Sequence, residues 1–140
     1  YRRALTIREQ IDANGPDTAE SLDQLALLYF VQRRYAEGAP ICCRALEIRR
    51  ARIEPDHPEL GASCHNMAIF LHCQDEFEAA ERLYQEALAI RRKSLPPGHP
   101  ATAKTIETYA RLLRQRGREE EARRLEEDSF AYRAAGGRMR

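Results

Sequence analysis

The sequence has no tryptophan, few glycines and prolines (seven of each), no charge of one sign in excess, and no apolar run long enough to cross a bilayer. Each absence excludes something. Without a long apolar segment, and with nothing at Tyr1 that looks like a signal peptide, the expectation is a soluble, cytoplasmic protein with no membrane partner. With 23 basic against 22 acidic residues and a net charge of +1, there is no concentrated basic surface of the kind that binds nucleic acid or anionic lipid. Arginine is locally dense, but acids are interleaved with it. The four cysteines, Cys42, Cys43, Cys64 and Cys73, form no C-x-x-C pair, which argues against a structural zinc site and leaves them as reduced packing residues. What remains is a chain 43% hydrophobic and 32% charged, a balance suited to amphipathic helices with heavily solvated outer faces.

A repeat organises this composition. Ala26, Ala68 and Ala110 are 42 residues apart, and so are Pro16, Pro58 and Pro100. In the same register Leu25, Met67 and Tyr109 are large, Gly38, Ala80 and Ala122 are small, and Tyr29, Leu71 and Leu113 are large again. A fixed period of this length decides the architecture before any single element is assigned. Upstream, Tyr1 to Arg8 (YRRALTIR) matches Arg44 to Arg49 (RALEIR) and Tyr84 to Arg91 (YQEALAIR), so the sequence is expected to begin inside an array.

Each unit reads as two helices. Ala19, Leu22, Leu25, Ala26 and Tyr29 recur at three- and four-residue steps, the spacing of one helical face, and Tyr35, Gly38, Cys42, Ala45 and Leu46 do the same on its partner. Pro16, Pro58 and Pro100 suit the first turn of each opening helix, where a missing N–H costs nothing. Turns are expected near Gln32 to Arg34, Gln74 to Glu76 and Gln115 to Gly117, with Gly117 suited to a left-handed cap. The pattern predicts helices near 16–32, 35–53, 58–74, 77–95, 100–116 and 118–134 after a leading helix at 1–12, and a frayed tail at 136–140. The fold class is therefore all-α: a single array over residues 1–135, with repeats at 16–53, 58–95 and 100–134.

These small, aromatic and alanine positions resemble the tetratricopeptide repeat. The 42-residue period, the His57-Pro58 and His99-Pro100 turns and the RALEIR and EALAIR helix ends are similar to the repeats of kinesin light chains and their bacterial relatives. The pattern departs at the paired asparagines those repeats favour before Leu-Ala, where only Asn66 matches. The resemblance implies a right-handed superhelix of antiparallel helical hairpins, three hairpins plus a leading helix. It also implies a non-enzymatic protein–protein interaction module without cofactor or metal, binding an extended peptide or partner segment in its concave groove.

In that family the opening helices line the groove. Carried onto this chain, the groove residues would be Glu20, Asp23, Gln24, Leu27 and Phe30; then His65, Asn66, Ile69, His72 and Cys73; then Lys104, Glu107, Thr108, Arg111 and Arg114. An asparagine amide both donates and accepts, so it can hold a peptide backbone without reading side chains. Some members of the family clamp a C-terminal carboxylate with five residues, whose positions here are Asp23, Leu27, Asn66, Lys104 and Thr108. Only two match, and Asp23 would repel a carboxylate.

Other chemistry finds little support. Ser63, Cys64 and His65 are adjacent on a helix and point about 100° apart, which spoils a nucleophile arrangement. His65 and His72 are about 10 Å apart along a helix, too far to share one metal. His57 and His99 read as turn formers before proline, and the arginine runs at 49–52, 91–93 and 111–118 read as solvated faces and helix ends. An alternative role is a structural, self-associating segment of a longer scaffold, joined through the apolar face of the leading helix at Tyr1, Leu5 and Ile11.

Overall fold

The computed structural model describes residues 16–138, with side chains for residues 18–128; the expected leading helix at 1–12 lies outside the described residues. Six helices follow one another: α1 (Pro16–Val31), α2 (Tyr35–Arg52), α3 (Pro58–Cys73), α4 (Phe77–Ser94), α5 (Pro100–Gln115) and α6 (Glu119–Arg138). They pair as the hairpins α1/α2, α3/α4 and α5/α6, and each closing helix also packs on the opening helix of the next hairpin. No strand occurs among the described residues. The last helix runs to Arg138 through Gly136 and Gly137, past the expected end near 134.

The helix boundaries have local chemical causes that repeat with the period. At the start of α3 and α5, the prolines follow His57 and His99, whose backbones are extended and whose imidazoles act as caps. His57 Nδ1 accepts from the Glu59 N–H at 3.1 Å, and His99 Nδ1 accepts from the Ala101 N–H at 3.0 Å. Each therefore satisfies an N–H that the helix itself cannot. The opening helices end in a shared motif. Arg33, Asp75 and Gly117 all have positive φ (61°, 63° and 74°). The following residues, Arg34, Glu76 and Arg118, donate back to the Tyr29, Leu71 and Leu113 carbonyls at 2.9, 2.9 and 2.8 Å. This double-bonded ending normally favours glycine, which only the third repeat supplies.

Three apolar clusters fill the stack in sequence order. The first joins Ala19, Leu22, Leu25 and Tyr29 to Ala45 and Ile48 within the first hairpin. The second runs from α2 into the second hairpin through Cys42, Leu46, Cys64, Met67 and Phe70, and the third couples α4 to the last hairpin through Tyr84, Tyr109, Leu112 and Leu113. Small and large residues compensate across these interfaces. Phe70 lies over Gly38, where an added Cβ would stand 2.6 Å from its ring. One period later, the smaller Leu112 shares a cluster with Ala80.

Arginines at equivalent positions brace the joints between hairpins. Arg49 pairs with Asp23 of α1 and donates to Ser63 Oγ of α3 at 2.7 Å. Arg91 is buried and donates to the Ala101 carbonyl at 2.9 Å and to Thr105 Oγ1 at 2.7 Å. The arginine runs were expected to be solvated. Arg49 and Arg91 instead turn inward, because their planar heads can satisfy several acceptors at once where three helices meet.

The Gly38–Phe70 contact yields a stability prediction. Alanine normally favours a helix interior over glycine, yet Gly38→Ala should destabilise by about 1–3 kcal/mol because the ring has to move. Adding Phe70→Leu should recover much of that loss. Urea unfolding of the two single variants and the double variant measures the coupling, and strictly additive effects would contradict the close approach.

Candidate functional site

Between the opening helices α1 and α3 lies a cleft of about 440 Å³, lined by Asp23, Gln24, Ala26, Leu27, Phe30, Cys42, Asn66, Ile69 and Phe70. Ala26, Cys42 and Phe70 form its buried floor, Phe30 and Ile69 are half-buried, and Leu27 stands at its edge 61% exposed. A size difference between equivalent positions helps to keep the cleft open. Cys42 of α2 corresponds to Tyr84 of α4, 42 residues on. Tyr84 is fully buried, with its ring stacked on Tyr109 at 5.8 Å and its hydroxyl 3.1 Å from His72 Nδ1. A thiol fills far less space than a phenol, so the corresponding space beside α1 stays open.

A second cleft of about 380 Å³ shares Asp23 and Asn66 with the first and continues past Glu20, Glu59, Ser63, Arg49 and Arg52. The sequence reading placed the groove on opening helices alone and missed what the end of α2 contributes: Ile48, Arg49, Arg52 and Ile53. The recurrence of Arg49 at Arg91 was the available signal. Burial raises the Asp23 carboxyl above its ordinary range, outweighing the opposite pull of Arg49, and the neighbouring Glu20 and Glu59 carboxylates add to the rise.

The other expected groove residues divide into two groups. His65 was expected on the open face but is buried under α5, with Nδ1 3.1 Å from Thr105 Oγ1 and its ring edge-on to Tyr84. Thr108 is also buried, and its hydroxyl lies 3.1 Å from both the Lys104 and Thr105 carbonyls, to which it donates. His72 is half-buried between Tyr84 and Gln115, while Cys73 is exposed. Here the approach of α5 to α3 closes the gap that remains open between α3 and α1. Lys104, Glu107 and Arg111 stay exposed along α5, and Arg111 pairs with Glu107 at 3.4 Å. Arg114 turns to α6, paired with Glu119 and Glu126. The structure thus brings together Glu20, Asp23, Gln24, Leu27, Asn66 and Ile69, and leaves Lys104, Glu107 and Arg111 as a separate charged stretch.

Nucleophilic chemistry gains no support from the cysteines in the core. Burial pushes the Cys42 thiol up to about 12 and the Cys64 thiol to about 11, far from the reactive thiolate form. Among the described residues no three His, Cys, Asp or Glu side chains converge as metal ligands, and no helix is long and apolar enough to cross a membrane.

Stacked hairpins with a cleft between opening helices define the class: an all-α helical-repeat superhelix. The tetratricopeptide repeat family model matches residues 17–93 and again 62–135, so the chain belongs to the tetratricopeptide repeat family. The fold of its repeats is similar to that of kinesin light chain-like repeat proteins. A protein from Podosopora anserina described as a kinesin light chain with nearly identical TPR-like repeats is similar over 96% of this chain, at TM-score 0.87 and 23% identity. A single-substitution variant of that protein gives 0.88 at the same identity, and BtubC from P. vanneervenii gives 0.85 at 18% identity. The chain spans 64% of the length of the first two and 54% of the third, and at these identities the likeness concerns the fold. No curated protein sequence matches the chain significantly. Tetratricopeptide arrays are in general scaffolds for protein–protein interaction.

His65 carries a pH prediction. Burial, with Arg91 and Lys104 nearby, lowers it from 6.5 to about 4, so it is neutral in the folded chain. Below pH 6.5 the unfolded chain takes up a proton there, while the folded chain does not until near pH 4. Stability from this site is complete above 6.5 and is lost as pH falls, by about 2 kcal/mol at pH 5. Urea midpoints at pH 7.5 and 5 should therefore drop less in His65→Gln than in the wild type. Equal drops would contradict the assignment.

Proposed function

We propose that the chain is a non-enzymatic interaction module that holds an extended partner segment in the cleft between α1 and α3. The observation that carries this reading is the exposure of Leu27, at 61%, over an apolar recess floored by Ala26, Cys42 and Phe70. Covering such a leucine is worth about 1.5–3 kcal/mol, enough to anchor a bound segment. Asn66 stands where the two clefts meet, and its amide can both donate to and accept from a peptide backbone. Glu20, Asp23, Gln24 and Ile69 complete the contact surface. Lys104, Glu107 and Arg111 offer a separate charged contact along α5, while His65, His72 and Thr108 act by holding α3 and α5 in place. The reading includes a cytoplasmic setting, which the free thiols of Cys42, Cys43, Cys64 and Cys73 support.

One observation favours a second reading, a self-associating scaffold segment. Phe70 and Leu112 are buried, yet the equivalent Leu28 is 41% exposed and Val31 beside it 71%. Solution mass measured against concentration tests it: a dimer lost on Leu28→Glu would support end-to-end association, and a mass that stays monomeric would dismiss it.

For the cleft, a peptide selected from a random display library on the whole chain provides the probe. Leu27→Asp and Asn66→Ala should each weaken its binding by about tenfold, and Glu47→Arg, exposed on α2 away from the cleft, should leave it unchanged. Binders indifferent to Leu27→Asp would contradict the reading.

A further inference from the structure

The two clefts differ in chemistry but are continuous. The larger is walled by Leu27, Phe30, Ile69 and Phe70; the smaller brings together the carboxylates of Glu20, Asp23 and Glu59. Against these three acids stand Arg49 and Arg52. Arg49 is already committed, paired with Asp23 and bonded to Ser63. No ion pair joins Glu20 or Glu59 to another described residue, and both are exposed at the cleft mouth. The smaller cleft thus holds three carboxylates against two guanidiniums, and this acidic excess lies directly beside the apolar recess.

We infer that the segment held here is an extended peptide in which an apolar side chain and a lysine or arginine two residues away are read together. The apolar side chain enters the Leu27–Ile69 recess and the cation meets the Glu20, Asp23 and Glu59 carboxylates. This rests on the cleft being the recognition surface, and it adds the chemistry of the partner.

Spacing supports the pairing. Along the helix from Leu27, Asp23 lies about 6 Å away and Glu20 about 10.5 Å, at about 1.5 Å per residue, and the long stem of a lysine or arginine can cover the difference. In an extended chain, two side chains on the same face, two residues apart, are separated by about 6.6 Å. One apolar and one cationic side chain at that interval can therefore reach both subsites without bending the peptide, in either chain direction, while Asn66 between them takes a backbone amide. An acidic peptide would bring its carboxylates against three others, and like charges at an interface select against a partner. The raised Asp23 carboxyl fits the same picture, because an arriving cation relieves the crowding of negative charge that helps to raise it.

The test reads the sequences of peptides selected from a random display library on the whole chain, followed by anisotropy titration of one labelled binder. The inference expects an apolar residue with Lys or Arg two positions away to be enriched. The double variant Glu20→Lys, Glu59→Lys should weaken the binder by roughly five- to tenfold, with the loss reversed when the peptide's cation is changed to glutamate. The wild-type affinity should also fall as salt is raised. Binders that are acidic or uncharged, yet still lost on Leu27→Asp, would overturn the inference and leave the cleft as the recognition surface. An absence of binders, or binders indifferent to Leu27→Asp, would overturn both.

Discussion

Every hairpin in this chain carries apolar residues on two sides and can bury only one of them within itself. The second side has to be covered by the next hairpin, and the geometry of the stack follows from how that is done. Phe70 reaches across the joint onto Gly38, and Arg49 and Arg91 cross it at equivalent places, each bonded to a hydroxyl of the following opening helix. Dispersion and burial supply the attraction, while the arginines fix how far one hairpin can slide on the next, since their acceptors lie on fixed helix turns.

The same stacking determines where a partner can be received. Opening helices are separated by the closing helix between them, and the width left on their free side depends on what that closing helix projects into it. Where α4 projects Tyr84, the space is filled by a ring stacked on Tyr109, with His65 and His72 edge-on around it. Where α2 projects Cys42, the space stays open and Leu27 and Ile69 are left at its rim. A repeat protein can thus place a recess at one joint through the side chains projected into it, with the period unchanged.

Much of this was legible in the sequence, and the reasons differ from element to element. The helix starts at Pro58 and Pro100 could be read because proline and a preceding histidine leave the chain little choice. The buried faces could be read because Ala26, Ala68 and Ala110 recur with large partners. Arg33 and Asp75 in left-handed turns were not anticipated, since neither is glycine, although their register with Gly117 marks them. The inward arginines escaped notice because an arginine near a helix end looks the same whether water or a neighbouring helix receives it. His65 and Thr108 were placed on the groove by the family resemblance, carried along each opening helix by its periodicity. That periodicity gives the direction in which a residue leaves its own helix, but not whether another helix lies there. The difference that opens the cleft, Cys42 against Tyr84, was visible in the alignment of the repeats, but its meaning depends on volume at a joint rather than on residue class.

The central claim is that the recess between α1 and α3 is where a partner segment lies. Methyl NMR of the chain with a display-selected peptide bound tests it most directly, through intermolecular contacts at the Leu27 and Ile69 methyl groups. The account predicts such contacts, joined by changes at the Asn66 side-chain amide. Contacts confined to the outer surface of α2 or α4, at Ala51 or Ala89, would contradict it.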